Sequence, residues 1–277
     1  MSWRAAPAGC AVDRIRALLK ANWQVGSSYR LDMAASLTGL VVTVVPVYFV
    51  AHALQPMMAA SISAQGGQYF GFVLVGMIAF TFLGVAVSAL PKVIGAGIAS
   101  GTLEAYLATP APLPTILAGL VSYELLWSVA RAFLVLGAGA ALGAHVAWDR
   151  SLLALGVLAL IVLAHLPFGI FGAALVLWFR TTGPLPKGIL AASGLLGGVY
   201  YPTQVIPAWL HTVSAGLPLT YGLRSLRRVL LDGASLGAVA GDLGVLAAFA
   251  AVLLAASLWV FARALGDARR TGTLAQY

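Results

Sequence analysis

Long apolar runs dominate this chain and leave it few ways to fold. Residues 33–54, 69–90, 117–140, 151–178 and 243–264 are apolar stretches broken by very few charges. A helix needs about 20 such residues to cross the roughly 30 Å hydrocarbon core of a bilayer. A sixth run, 185–202, is marginal in length and continues into a proline-broken segment. Hydrophobic residues make up 61% of the 277 and charged residues 9%, with a mean hydropathy of +0.96. A soluble domain carries about 25% charged residues, so an ordinary globular protein is excluded. The expected fold is an all-α integral membrane protein with six transmembrane helices, because an isolated span in lipid must satisfy its own backbone hydrogen bonds.

Charge sets the expected orientation. Arg4, Arg14, Arg16, Lys20 and Arg30 precede the first run. With six crossings, Lys92, Arg180, Lys187, Arg263, Arg269 and Arg270 fall on the same side, making eleven of the sixteen basic residues. The positive-inside rule then places both termini in the cytoplasm of a multi-pass cell-membrane protein. Arg150, Arg224, Arg227 and Arg228 fall on the far side, the last three in a cluster whose default partners are lipid headgroups. Much of the net charge of +8 is therefore topology, and nucleic acid is not an expected partner.

Residues 12–30 carry Ile15, Leu18, Leu19 and Trp23 at helical spacing, with Arg14, Arg16, Lys20 and Gln24 on the other side. A basic amphipathic helix of this kind is expected along the cytoplasmic interface, with Arg16, Lys20 and Trp23 at the lipid surface or against a cytosolic partner. Residues 1–11 lack the compact apolar core of a cleavable signal peptide. The single Cys10 reads as an inert thiol.

Between the second and third runs lies a mildly polar stretch: Gly101, Thr102, Leu103, Glu104, Ala105, Tyr106, Leu107, Ala108, Thr109 and Pro110. Pro91 is expected to kink or end the second span, since it cannot donate a backbone hydrogen bond. A short helix starting at Gly101 or Thr102 would have Glu104 in its first turn, where the helix dipole favours it. Pro110, Pro112 and Pro114 would stop it after about two turns. Local physics alone makes this a loop helix at the membrane mouth, with Leu103, Tyr106 and Leu107 as an apolar set.

The second broken segment, 198–228, is too apolar for a free loop and too interrupted for a straight span. It contains Gly198, Tyr200, Tyr201, Pro202, Pro207, Trp209, Pro218, Tyr221 and Arg224. Non-helical backbone at membrane depth is tolerated only against protein or a water-filled cavity. A re-entrant hairpin lining the outer end of a pathway is one reading; an aromatic belt at the interface is the other for Tyr200, Tyr201, Trp209 and Tyr221.

Within the third run, Glu124 and Arg131 are seven residues apart and share a helical face. Intramembrane charges are usually functional or paired. They are candidates for a translocation path or a subunit seam, against snorkelling for Glu124 and pairing with another helix for Arg131. His52, His145, His165 and His211 are scattered without metal-like spacing, so no metal site is expected. Gly67/Gly71, Gly139/Gly143 and Gly194/Gly198 have spacing suited to close helix packing. None of the three lysines is followed by Ser or Thr, so a phosphate-binding loop is absent. No nucleophile elbow is present either, and the chain is not expected to be an enzyme or to have catalytic residues.

Residues 101–110 resemble the cytoplasmic "GTLE…L…TP" segment of ABC-2 type ABC transporter permeases. Gly198 to Pro202, Pro207 to Trp209, Pro218 to Tyr221 and Arg224 resemble that family's segment before the last span. The ending, Ala268, Arg269 and Arg270 followed by Gly272, Leu274 and Tyr277, is also similar to family tails. The resemblance implies a single transmembrane domain over 1–277, with 101–110 as the coupling helix seated in a cleft of a separate ABC ATPase. Its contact residues would be Gly101, Thr102, Leu103, Glu104, Tyr106, Leu107, Thr109 and Pro110. It also implies that 198–228 forms extracellular re-entrant helices, that the chain dimerises, and that ATP and Mg bind the partner ATPase and not this chain. Export of a lipophilic or lipid-linked compound is the implied activity: a drug, antibiotic or lipid, or a polysaccharide. Two departures stand out: residues 93–100 lack the charges common before the coupling helix, and Leu217 stands where Asn is usual before Pro218.

From other classes, the rivals are an ATP-independent channel or secondary carrier and a membrane enzyme or scaffold. A carrier would more often show several polar intramembrane residues and internal repeat symmetry, which this chain does not. A neighbouring reading frame for a nucleotide-binding subunit would separate these classes.

Overall fold

The computed structural model describes residues 30–101, 113–181 and 184–270. The expected interfacial residues Arg16, Lys20 and Trp23, and the segment from Thr102 to Pro110 expected to form the coupling helix, lie outside the described residues. Among the described residues the fold is all-helical. Its α-helices are α1 (Arg30–Met58), α2 (Tyr69–Ala99), α3 (Leu113–Ala141), α4 (Ser151–Phe179), α5 (Leu185–Leu196), α6 (Ala208–Ala215), α7 (Pro218–Leu231) and α8 (Leu236–Arg270).

Four stretches among the described residues are long and apolar enough to cross a membrane: Tyr69–Ala99, Val121–Ala141, Trp148–Phe179 and Leu236–Ala268. Two further apolar helical stretches are shorter, Val42–Met58 and Leu185–Leu196. α1 as a whole has 29 residues, about 44 Å at 1.5 Å per residue. α5 has only 12, about 18 Å, and does not match the bilayer core by itself.

α2 and α4 are the centre of the bundle. Both are apolar on every side, the pattern of a helix surrounded by protein. α4 packs most extensively on α8 and α2, while α1 and α3 lean on α2. At Gly169 of α4 a Cβ would lie 2.3 Å from the carbonyl oxygen of Ala86, so only glycine permits this approach of α4 to α2.

α2 does not end at Pro91 but continues to Ala99. Proline is tolerated within membrane helices where neighbouring elements hold the turn. Here Pro91 is buried and its ring faces α4, such that a Cβ on Gly172 would meet its Cγ at 2.8 Å. Gly101 then closes the helix in the left-handed conformation, with φ +69° and its N–H bonded to Ile98 O.

Hydrogen bonds define the two ends of the bundle. At one end, Gln68 donates from Nε2 to Gly143 O and accepts from His145 N, tying the α1–α2 turn to the α3–α4 turn. Ala147 N donates to Leu230 O at 2.7 Å, bringing the end of α7 there too. At the other end, Trp178 Nε1 of α4 donates to Asp267 Oδ2 of α8 at 3.2 Å. Arg180 and Gly101 belong to that end.

Candidate functional site

The segment from α5 to α7 is built around helix breaks. Gly197 caps α5 and Gly198 takes φ +81°. Pro207 precedes α6, and Pro218 occupies the first turn of α7, where its missing N–H costs no hydrogen bond. Leu217 sits at the N-cap of α7 without a side-chain cap, as its identity requires.

Each break leaves carbonyls without helical partners. In lipid those groups need partners from the protein, and neighbouring side chains supply them. Tyr201 Oη donates to Leu195 O, and Ser214 Oγ donates to Leu196 O at 2.8 Å. Thr220 Oγ1 donates to Ser214 O at 2.8 Å and Tyr221 Oη to Ala215 O at 3.0 Å. Tyr69 Oη of α2 donates to Tyr200 O at 2.8 Å. Tyr201 and Tyr221 therefore cap helix ends, a role without a local signature in the sequence. Tyr200 (45% exposed) and Trp209 (70%) present their side chains outward, and Pro207 is exposed as well. Gly198, Pro202 and Pro218 are buried in the turns.

Arg224 makes a two-pronged ion pair with Asp242 of α8, its Nε donating to Oδ2 at 2.7 Å and its Nη2 to Oδ1. Its guanidinium also lies over the Tyr221 ring. Arg228 donates to Ala238 O, again on α8. Two of the three clustered arginines thus fasten α7 to α8.

The third departs from the headgroup reading. Arg227 is only 2% exposed. Its Nε donates to Phe72 O at 3.1 Å and its Nη2 to Val199 O at 2.9 Å, bridging α2 and the break after α5. A Cβ on Gly76 would lie 2.2 Å from Val199 O and 2.8 Å from Arg227 Nη2, so glycine there makes the junction. The signal was in the helical phase. Leu219, Leu223, Leu226 and Leu230 form one buried stripe on α7, and Arg227 falls one turn after Leu223.

Arg131 lines a cavity of about 190 Å³ between α1, α2 and α3. Thr43, Thr81 and Ser128 contribute hydroxyls, and Val44, Met77, Ile78, Phe82, Ala132 and Val135 the apolar walls. Glu124 is not part of that lining, and no ion pair joins it to Arg131. The two residues share a helix face without acting as a pair.

The ABC-2 type transporter family matches the chain over residues 14–231. The chain belongs to the ABC-2 type transporter family. That match takes in α1 to α7 and ends on the last residue of α7. Residues 14–231 are therefore the membrane domain of an ABC-2 type transporter permease. The chain is also similar to the linearmycin resistance permease protein LnrN of Bacillus subtilis (strain 168), 30% identical over 67 residues. That stretch is 24% of this chain and 17% of the relative, so the similarity spans under a fifth of the relative's length.

Proposed function

We propose that this ABC-2 permease is the membrane-spanning subunit of an ATP-driven exporter whose ATPase is a separate chain. The carrying observation is family membership over residues 14–231, joined to a proline- and glycine-broken α5–α7 segment pinned into the bundle. Two copies would form the pathway, and the contacts with the ATPase would come from Gly101, Thr102, Leu103, Glu104, Tyr106, Leu107, Thr109 and Pro110. ATP and Mg would bind the partner. ATP-driven closure of the motor would push these segments and rock the two halves.

Six crossings fit the positions of the helix ends. The segment after Leu185 starts beside Pro91, where a Cβ on Gly172 would lie 2.8 Å from Pro91 Cγ and 4.0 Å from Pro186 Cγ. It ends where Tyr69 holds Tyr200 O. Pro91 and Tyr69 are about 33 Å apart along α2, which is the thickness of the hydrocarbon core. On this reading 185–200 crosses as α5 plus its turn, 198–228 is the re-entrant hairpin on the outer side, and α8 returns. Both termini then lie in the cytoplasm of the cell membrane.

The substrate is a lipophilic or lipid-linked compound, a drug, antibiotic or lipid, or else a polysaccharide. The name of the Bacillus relative, a linearmycin resistance permease, favours the antibiotic branch. The test is uptake of a panel of lipophilic dyes and antibiotics into inside-out vesicles carrying the permease with and without its ATPase. Accumulation needing both ATP and the ATPase supports the reading. Flux that ignores both would make the chain a channel or secondary carrier.

A further inference from the structure

Arg131 stands about ten residues before the end of α3 at Ala141, roughly 15 Å along the axis and so near the middle of a 30 Å apolar core. A cation at that depth is costly unless it meets a partner or water. Among the described residues Arg131 has neither ion pair nor hydrogen bond, and its Nε is buried with no acceptor. The hydroxyls around it do not supply one. Thr43 Oγ1 donates to Gly39 O, Thr81 Oγ1 to Met77 O and Ser128 Oγ to Glu124 O, each bonding back to its own helix.

Those back-bonded hydroxyls leave oxygen lone pairs but no fixed anion, so the cavity presents one planar cation in a largely apolar wall. Its volume of about 190 Å³ is below the roughly 300 Å³ at which drug-sized pockets begin. It can house one small polar group while the remainder of a molecule stays outside. Thr43 and Thr81 on the rim are exposed, and the α1 side chains Val42, Val45 and Phe49 are exposed apolar surface. A guanidinium pairs most strongly with a carboxylate or phosphate, where two N–H groups meet two oxygens.

We propose that this cavity binds the acidic group of a lipophilic anion, with Arg131 as its counter-charge and the apolar part lying along α1. This deepens the export reading by naming a substrate class, a bilayer-partitioned molecule bearing one oxyanion. A carboxylate on a free acyl chain and a phosphate on a membrane lipid share that chemistry, and separate probes distinguish them.

The experiment uses the full chain in phosphatidylcholine nanodiscs without the ATPase, so its failure would leave the transport reading untouched. Electron paramagnetic resonance reads the immobilised fraction of spin-labelled stearic acid against its methyl ester, and of spin-labelled phosphatidylglycerol against phosphate-free spin-labelled diacylglycerol. An acid-over-ester preference of about ten-fold, the size expected of a charge-assisted hydrogen bond, assigns the site to a free carboxylate. The same preference in the second pair only assigns it to a lipid phosphate. Arg131→Gln should bring the preference to near parity. Thr81→Phe, at an exposed rim position, should lower anion binding with the arginine intact and guards against misfolding of the first variant. Equal affinity for the charged and neutral probes in the unaltered protein, or a preference that survives both substitutions, would overturn the proposal.

Discussion

The guanidinium carbon of Arg227 lies 3.3 Å from the centroid of the Phe72 ring. The ring face supplies negative quadrupole to the cation, while the Phe72 and Val199 carbonyls accept from Nε and Nη2. One side chain thereby joins α7, α2 and the break after α5. Replacing it with Lys keeps the charge but loses the planar fork that reaches two carbonyls. Arg227→Lys should lower stability by about 1–3 kcal/mol, read as an earlier thermal unfolding midpoint in detergent. Arg228→Ala should cost markedly less, and equal effects would show that the junction is not what holds α7.

Gly76 tests the same junction from α2. Gly76→Ala places a methyl against Val199 O, and overpacking of this kind costs about 1–3 kcal/mol. Gly84 lies on the same helix with nothing within 4 Å of a Cβ. Gly84→Ala should be neutral or stabilising by up to about 1 kcal/mol, the helix propensity difference. The two midpoints, measured side by side, separate steric crowding from a general intolerance of α2.

These contacts show where the sequence was legible. The spans expected at 69–90 and 151–178 correspond to Tyr69–Ala99 and Ser151–Phe179, because a long uncharged run in lipid has helix as its one way to satisfy its backbone. The ends were less legible. α2 carries on past Pro91 because packing against α4 holds that turn, a tertiary fact with no local signature. Glycine spacing pointed to Gly67/Gly71, Gly139/Gly143 and Gly194/Gly198. A Cβ would meet Leu231 at 3.1 Å on Gly71, Leu74 at 2.6 Å on Gly139 and Phe80 at 3.2 Å on Gly194, while Gly67 and Gly143 face nothing within 4 Å. The spacing did not mark Gly76 and Gly169, where the backbone of a neighbouring element comes within 2.2 and 2.3 Å of a Cβ. Tyr201 and Tyr221 read as belt or pathway aromatics, since nothing local reveals which carbonyls a distant hydroxyl will cap. The residues expected to meet the ATPase lie outside the described residues, apart from Gly101 at the end of α2.

The Arg224–Asp242 pair should contribute little to stability. The Arg224 side chain is 47% exposed and that of Asp242 16%, so water still reaches the cation, and pairs screened in this way are worth about 0–1 kcal/mol. A double-mutant cycle with Arg224→Ala and Asp242→Ala should give a coupling under about 1 kcal/mol. A larger value would place the pair out of water's reach.

Topology is open to cysteine labelling in a Cys10→Ser background. Single cysteines at Ser63, Asp149 and Ser235 should react in whole cells with a membrane-impermeant maleimide. One at Thr181 should react only after permeabilisation. Labelling of Thr181 from outside, or protection of Ser235, would contradict six crossings with cytoplasmic termini.

The most direct test of the account is whether the 101–110 segment holds the motor. Leu103→Asp and Glu104→Arg should each abolish co-purification of the co-expressed cognate ABC ATPase while leaving membrane insertion of this chain intact. Tight association that persists in both variants would contradict the assignment of that segment as the docking site.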